Sequence, residues 1–337
     1  MQIAKNGLAT ARPNPSVGAV VVYQNKVIGE GFTSPYGGSH AEVNAINSVE
    51  DKTLLNRATI YVTLEPCAHF GKTPPCADLI VKHQFKKVVI GCVDTNSLVA
   101  GKGIERLKNA GINVIVGVLE NECLEHHKCF FSVQNKKRPY IILKWAETID
   151  GFVAPNFKYE QKPFWISNKY SQQLVHKWRS EAHAILVGTH TVIADNPTLN
   201  VRSWSGQNPI RIVLDRTLRI PKNANVFKAN QKTIVITGAS NGNREEGASI
   251  LFEEIDFSEN LAQQICNVLY KHKIESVIVE GGTETLQTFI NEHLWDEARV
   301  FTGDNELGSG VKSPKFLGRI VSKMNIKNDL LKVYKND

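Results

Sequence analysis

A chain of 337 residues with 42% hydrophobic and 22% charged side chains is long enough to bury two full cores, which excludes a disordered or fibrous protein. No run of about 18 apolar residues is present to span a bilayer, and the N-terminus lacks the apolar segment of a secretory signal, so a cytoplasmic address without membrane attachment is expected. The formal charge of +7 includes no polybasic tract, the longest run being Lys136-Lys137-Arg138, and so modest an excess suits anionic small molecules rather than nucleic acid.

The first predicted elements are a β-hairpin from Val17 to Gly31 turning at Gln24-Asn25-Lys26, a loop through Pro35-Tyr36-Gly37-Gly38, and a helix carrying His40 and Glu42 with Ser39 as its N-cap. Strand and helix then alternate. Strands are expected over Thr59 to Leu64, Lys87 to Cys92 and Ile112 to Val118, with helices over Ala77 to His83 and Gly103 to Asn109. This pattern predicts an α/β domain over residues 1–138, with a mixed sheet and flanking helices. His126 and His127, between Cys123 and Cys129, read as a polar helix face rather than a second metal site, because their spacing matches no zinc pattern. The basic, proline-containing stretch Asn135 to Pro139 reads as a linker.

His40, Cys67 and Cys76 form a candidate site for one zinc ion. One imidazole and two thiolates bind Zn²⁺ tetrahedrally and leave the fourth position to water, whose pKa falls from that of bulk water to about 7. Glu42 is the candidate catalytic residue. In zinc deaminases a glutamate two residues after the histidine binds no metal and moves protons from the attacking water to the leaving amine. The cysteines depart from the usual Cys-x-x-Cys, since Ala68 to Pro75 intervene. Cys67 then ends a strand and Cys76 opens a helix after Pro74 and Pro75, so that two helix N-termini face the metal and favour thiolate. Cys92, Cys123, Cys129 and Cys266 read as reduced thiols rather than a disulfide framework.

A second alternation follows the linker and predicts another α/β domain over residues 139–337. Strands are expected at Tyr140 to Lys144, Ala184 to Val187, Arg211 to Leu214, Thr233 to Thr237 and Ser276 to Val279; Lys169 to Arg179 and Asn260 to Lys271 have the spacing of amphipathic helices. The strand ending at Glu280 runs through Gly281-Gly282 into a predicted helix from Thr283 to Phe289. Glycines at such a turn let a phosphate approach backbone N–H groups at a helix end, although a Gly-Gly turn is by itself commoner as a plain tight turn.

Taken together, these residues resemble the bifunctional riboflavin biosynthesis deaminase–reductase family, in which a cytidine-deaminase-like domain is joined to a dihydrofolate-reductase-like domain. The resemblance rests on Pro13-Asn14-Pro15, His40-Ala41-Glu42, the block from Tyr61 to Cys76 and Ala100-Gly101-Lys102-Gly103 in the first half. In the second half it rests on Lys144 to Gly151, Trp165-Ile166-Ser167, Arg179, Gly188 to Arg202 and Glu280-Gly281-Gly282. The family's usage implies NADPH contacts at Ala146, Trp165, Thr191, Asp195, Gly282, Thr283, Glu284, Thr285, Leu286, Gln287 and Thr288, with Thr237 a further candidate. It implies substrate contacts at Asn14, Arg179, Leu199, Arg202 and Glu280. Three departures stand out. Met1 falls where the family's first helix is already under way, the Asp-Pro-Asn-Pro loop appears as Asp94-Thr95-Asn96-Ser97, and Thr148 replaces a serine.

The resemblance implies deamination of 2,5-diamino-6-(ribosylamino)-4-pyrimidinone 5′-phosphate at zinc, then hydride transfer from NADPH that converts the ribosyl to a ribityl chain. It also implies a homo-oligomer, dimer or tetramer, formed through the reductase domain. Arg179 and Arg202 suit the substrate phosphate, because guanidinium offers bidentate donors. His69 is open to either of two roles, touching substrate or holding the inter-cysteine loop. Two other classes make different predictions. A nucleic-acid editing deaminase predicts a basic groove and no NADPH binding, and a non-enzymatic scaffold predicts loss of at least one of His40, Glu42, Cys67 and Cys76.

Overall fold

The computed structural model describes residues 1–70, 74–95, 100–228, 231–238 and 249–336. Gly71, Lys72 and Thr73 of the inter-cysteine block, and Asn96 and Ser97, lie outside the described residues. The chain divides into two compact units, Met1–Lys137 and Arg138–Asp337.

In the first unit, helix α1 (Gln2–Lys5) precedes a hairpin of β1 (Gly18–Tyr23) and β2 (Lys26–Phe32). Gln24 and Asn25 both adopt positive φ, 48° and 60°, the twist that a two-residue hairpin turn requires. Helix α2 (Ala41–Ser48), β3 (Thr59–Leu64), α3 (Cys76–Lys82), β4 (Lys87–Cys92), α4 (Lys102–Asn109), β5 (Asn113–Val116) and α5 (Glu120–Lys136) follow. The five strands form a mixed sheet in the order β2-β1-β3-β4-β5, antiparallel across β1 and parallel from β3 to β5. Gly31 lets α2 lie directly on β2: a Cβ there would stand 2.4 Å from the Ala45 nitrogen. That close approach fixes the height of the helix whose first turn carries Glu42.

Three expectations change. The α2 helix begins one residue later than expected, so that His40 and not Ser39 is the N-cap, in extended conformation with φ −71° and ψ 163°. An extended His40 turns its ring away from the helix axis and toward the cysteines. The polar face expected around His126 and His127 is buried instead. His127 is 2% exposed, its Nε2 lies 3.2 Å from Thr63 Oγ1, and His126 Nε2–H donates to the Ser16 carbonyl at 2.7 Å. Two ring nitrogens satisfied inside the unit let a polar pair sit on the inward face of α5. Lastly, the basic run is not an extended linker. Helix α5 continues to Lys136, Lys137 closes it in left-handed conformation, and Arg138 is buried in a bidentate ion pair with Asp296 at 2.5 and 2.9 Å.

The second unit contains β6 (Tyr140–Glu147), β7 (Phe152–Ala154), α6 (Lys169–Glu181), β8 (Ala184–Gly188), α7 (Thr189–Asp195), β9 (Ile210–Leu214), β10 (Thr233–Thr237), β11 (Ile250–Glu254) and α8 (Leu261–Lys271). It continues through β12 (Ser276–Val279), α9 (Thr283–Asn291), β13 (Glu297–Thr302), β14 (Val311–Lys312), β15 (Arg319–Ile326) and β16 (Asp329–Lys335). Nine strands make one sheet in the order β11-β10-β9-β8-β12-β6-β13-β16-β15. From β11 to β13 every pairing is parallel, and β16 and β15 add an antiparallel edge. The central strands read as continuous apolar runs because helices cover both faces. The carboxyl ends of parallel strands are where open α/β sheets bind ligands, and the end of β6 and the turns after β8, β9 and β12 all open onto one cleft.

Candidate active sites

In the first unit, β3 ends in Leu64 and the next residues are Glu65, Pro66 and Cys67, while Cys76 opens α3 and His40 caps α2. These elements bring together His40 Nδ1, Cys67 Sγ and Cys76 Sγ, all within 4.8 Å of one another. The imidazole nitrogen lies 3.6 Å from the Cys67 sulfur and 3.3 Å from that of Cys76. Zinc bonds of ordinary length at tetrahedral angles require N···S separations of about 3.5 Å, so the donor set fits the ion. The Cys76 N–H donates to the Cys67 sulfur at 3.3 Å. Hydrogen bonding from the Cys76 side chain first, then from His40 and that N–H, holds the Cys67 thiol far below its usual range, at about 4. One ligand is therefore a thiolate before any metal charge is counted.

Glu42 is 4% exposed, in the first turn of α2 and within hydrogen-bonding reach of the Cys76 side chain. Burial, followed by the charge on Cys67, raises its carboxyl to about 7. A carboxyl that titrates near neutrality beside a metal-ligand triad suits proton transfer in both directions. Sequence reasoning gave Glu65 no role of its own. Its buried carboxylate accepts backbone N–H groups from Asp94, Gly101, Gly103 and Ile104, at 2.9 to 3.3 Å, and so ties the turn before α4 to the strand end bearing Cys67. The available signal was a carboxylate set between an apolar strand and a ligand. His69 is exposed and makes no hydrogen bond among the described residues. Asn14 is half-buried in the loop between α1 and β1, its backbone N–H donating to the Ala11 carbonyl.

In the second unit the cleft measures about 1350 Å³, more than the roughly 300–1,000 Å³ of a pocket for one small ligand. It therefore has room for a dinucleotide and a second molecule. Ala146, Trp165, Thr191, Asp195, Leu199, Arg179, Arg202, Glu280, Gly282, Thr283, Glu284, Thr285, Leu286 and Thr288 all line it. Gln287 and Thr237 do not. Gln287 turns outward to the Lys315 backbone and to Asn291, and Thr237 is buried with its hydroxyl donating to the Arg216 carbonyl at 3.2 Å. Gly282, with φ 69°, is the N-cap of α9, so the first N–H groups of that helix open into the cleft. Gly281 packs β12 against β8: a Cβ there would meet Val187 at 2.8 Å.

Arg179 and Glu280 face each other, with Nε to Oε1 at 3.1 Å and Nη2 to Oε2 at 2.6 Å. Burial pushes the Glu280 carboxyl up, but attraction to Arg179 and Lys144 outweighs it and holds the group at about 2. Arg202 Nη1 donates to Asn200 Oδ1 at 2.8 Å. Lys144 was not singled out as a site residue in the sequence, yet it lines the cleft from β6, and its ammonium has no hydrogen-bond partner among the described residues. Burial lowers its pKa, against the raising influence of Glu280. The signal was a lysine interrupting the apolar run Tyr140 to Trp145.

A zinc-ligand triad beside a buried carboxyl, followed in one chain by a parallel sheet with a dinucleotide-sized cleft, defines a two-domain α/β enzyme. The profile of the cytidine and deoxycytidylate deaminase zinc-binding region matches residues 1–92, and that of the RibD C-terminal domain matches residues 139–335. The riboflavin biosynthesis protein RibD of Aquifex aeolicus is 40% identical over 317 residues, 92% of this chain and 86% of that protein. RibD of Bacillus amyloliquefaciens is 36% identical over 325 residues, 94% of this chain and 85% of its own length. The crystal structure of a diaminohydroxyphosphoribosylaminopyrimidine deaminase/5-amino-6-(5-phosphoribosylamino)uracil reductase from Thermotoga maritima superposes with a TM-score of 0.90 at 37% identity, covering 100% of this chain and 96% of that one. The chain belongs to the RibD family of riboflavin biosynthesis proteins.

Proposed function

We propose that the chain catalyses two successive steps of riboflavin biosynthesis. The first unit deaminates 2,5-diamino-6-(ribosylamino)-4-pyrimidinone 5′-phosphate with zinc, and the second reduces the ribosyl group of the product to a ribityl chain with NADPH. The observation that carries this reading is the triad of His40, Cys67 and Cys76 with Glu42 against it. A zinc ion held by those three ligands supplies Lewis acidity that activates water at neutral pH. Glu42 then accepts a proton on its carboxylate and returns it to the departing amine, and its burial keeps bulk water from intercepting the transfer. Asn14 is assigned to substrate on the strength of the family motif alone.

In the second unit, NADPH supplies hydride for C1′ of the opened ribosylamine. Gly282 and the first turn of α9 suit its pyrophosphate, because backbone N–H groups and the positive helix end both favour anions. Ala146, Trp165, Thr191 and Asp195 line the cleft and are assigned to the cofactor on the strength of the family's usage. Arg179, Arg202, Leu199 and Glu280 are assigned to the phosphorylated substrate, with Lys144 added as a cation that Glu280 orients. Leu286 is 2% exposed, so its contact with a cofactor is through backbone.

No helix among the described residues is long and apolar enough to cross a membrane. A homo-oligomer through the second unit is supported by β15, an edge strand exposed along nearly its whole length that presents Ile320, Val321 and Met324 at 42–54% exposure. The test of function follows ammonia release and NADPH oxidation together on the diaminopyrimidinone ribotide. Both signals, with oxidation dependent on deamination, are expected; absence of ammonia release overturns the assignment of the first unit.

A further inference from the structure

We propose that His176, buried on α6 behind the cleft, is a positioning residue of the second reaction: as a neutral imidazole it holds the backbone of Arg202 and so sets that guanidinium beside Arg179. The inference rests on the assignment of Arg179 and Arg202 to the substrate phosphate and deepens it. His176 is 5% exposed and does not line the cleft, so it acts through another residue and not on the substrate. Its Nδ1 accepts the Arg202 backbone N–H at 3.2 Å. A ring nitrogen that accepts carries no proton, which leaves the proton of the neutral ring on Nε2. Burial, followed by the charges of Arg179 and Arg202, outweighs the raising influence of Glu280 and of the Asn200 backbone and holds the imidazole at about 4. The accepting lone pair is therefore free at neutral pH, whereas a protonated ring would turn one donor toward another.

Arg202 needs such an anchor because the sheet cannot place it. The stretch from Thr198 to Arg202 belongs to no helix or strand, and side chains hold its backbone residue by residue. The Thr198 carbonyl accepts from Arg211 Nε at 3.0 Å, that of Leu199 from Gln231 Nε2 at 3.3 Å and that of Asn200 from Arg179 Nη1 at 3.4 Å, while the Val201 N–H donates to Asn208 Oδ1 at 2.8 Å. Leu199 is 3% exposed in left-handed conformation, with φ 55°, a state that a bulky side chain keeps only where its surroundings enforce it. His176 supplies the last of these ties, at the residue whose guanidinium enters the cleft. His176 and Arg179 stand three apart and so share one face of α6. That face thus provides one phosphate-binding guanidinium directly and anchors the backbone of the other, and the two cations reach the phosphate as a set pair.

The experiment measures steady-state NADPH oxidation on the deaminated ribotide by the full-length, zinc-loaded chain and by its H176L, H176N and R202A variants, with thermal melts confirming that each is folded. Leucine fills the site without an acceptor, and asparagine places its Oδ1 near the position of Nδ1. H176L is expected to raise the KM for the ribotide by about tenfold, with kcat and the KM for NADPH moving less than about threefold, and H176N to restore the KM to within about threefold of wild type. Should H176L fail to fold, H176Q takes its place, since its side chain is polar but carries its oxygen at the Nε2 position. An unchanged ribotide KM in the variant without the acceptor, an equal rise in the KM for NADPH, or an H176N as impaired as H176L overturns the proposal. A wild-type KM in R202A overturns the assignment of Arg202 to the substrate itself, a failure distinct from an unaffected His176 variant.

Discussion

Glu42 illustrates how much of the chemistry is set at single residues. Replacement by Gln keeps its volume and hydrogen-bonding shape but removes the titratable oxygen. Zinc content should remain at about one ion per chain, by metal analysis, while the rate of ammonia release falls by on the order of 10²–10⁴-fold. Persistence of that rate would reject the proton-carrier role. The ligands and Glu42 were legible in the sequence because metal chemistry restricts which residue types serve, and their order with adjacent helix starts is uncommon. Lys144 and Glu65 were less legible. Each is a charged residue whose meaning lies in what surrounds it: an ammonium whose strand pairs with the one leading into Glu280, and a carboxylate collecting backbone donors from Asp94 after β4 and from the start of α4.

Among elements, α5 carries a buried liability. Burial, with a smaller contribution from His126, pushes the His127 imidazole down to about 3, against an ordinary value of 6.5. The unfolded chain therefore takes up a proton first as pH falls. Stability from a neutral His127 is complete above pH 6.5 and is lost progressively as pH drops from there toward 3. Urea unfolding of the first unit, followed between pH 7 and pH 4, should show this decline, and His127→Gln should flatten it. An equally steep decline in the variant would assign the acid sensitivity to other groups. Hairpin β1–β2 and strands β3, β10 and β12 were legible as apolar runs bounded by turn residues. Strand β11, with two glutamates in five residues at the sheet edge, and β15, exposed almost throughout, carry no inward-facing period and were not. The seven-residue α7 is too short to show a repeat, and its position is imposed by the sheet beneath it.

For the molecule as a whole, the two chemistries should separate. Exhaustive removal of zinc with a chelator should abolish ammonia release, while NADPH oxidation on pre-deaminated substrate persists, because none of the cleft-lining residues belongs to the triad. Loss of both activities together would mean that the ion supports more than the first unit. Light scattering should report a mass above that of one chain, and lysines placed at Val321 and Met324 should reduce it if β15 is the contact; an unchanged mass would move the interface elsewhere.

Strand β6 begins the second unit, yet its hydrogen-bonding partners are β12 and β13, with Tyr140 opposite Ser276 and Ile142 opposite Glu297. The first strand made thus waits for nearly the last. During synthesis the first unit, whose hairpin closes locally, can fold and take up zinc while β6 is still unpaired on both edges. A chain truncated before Ser276 should accordingly keep a metal-loaded, protease-resistant first half and leave everything after Lys137 open to digestion. Survival of the later segment would show that it organises in another order.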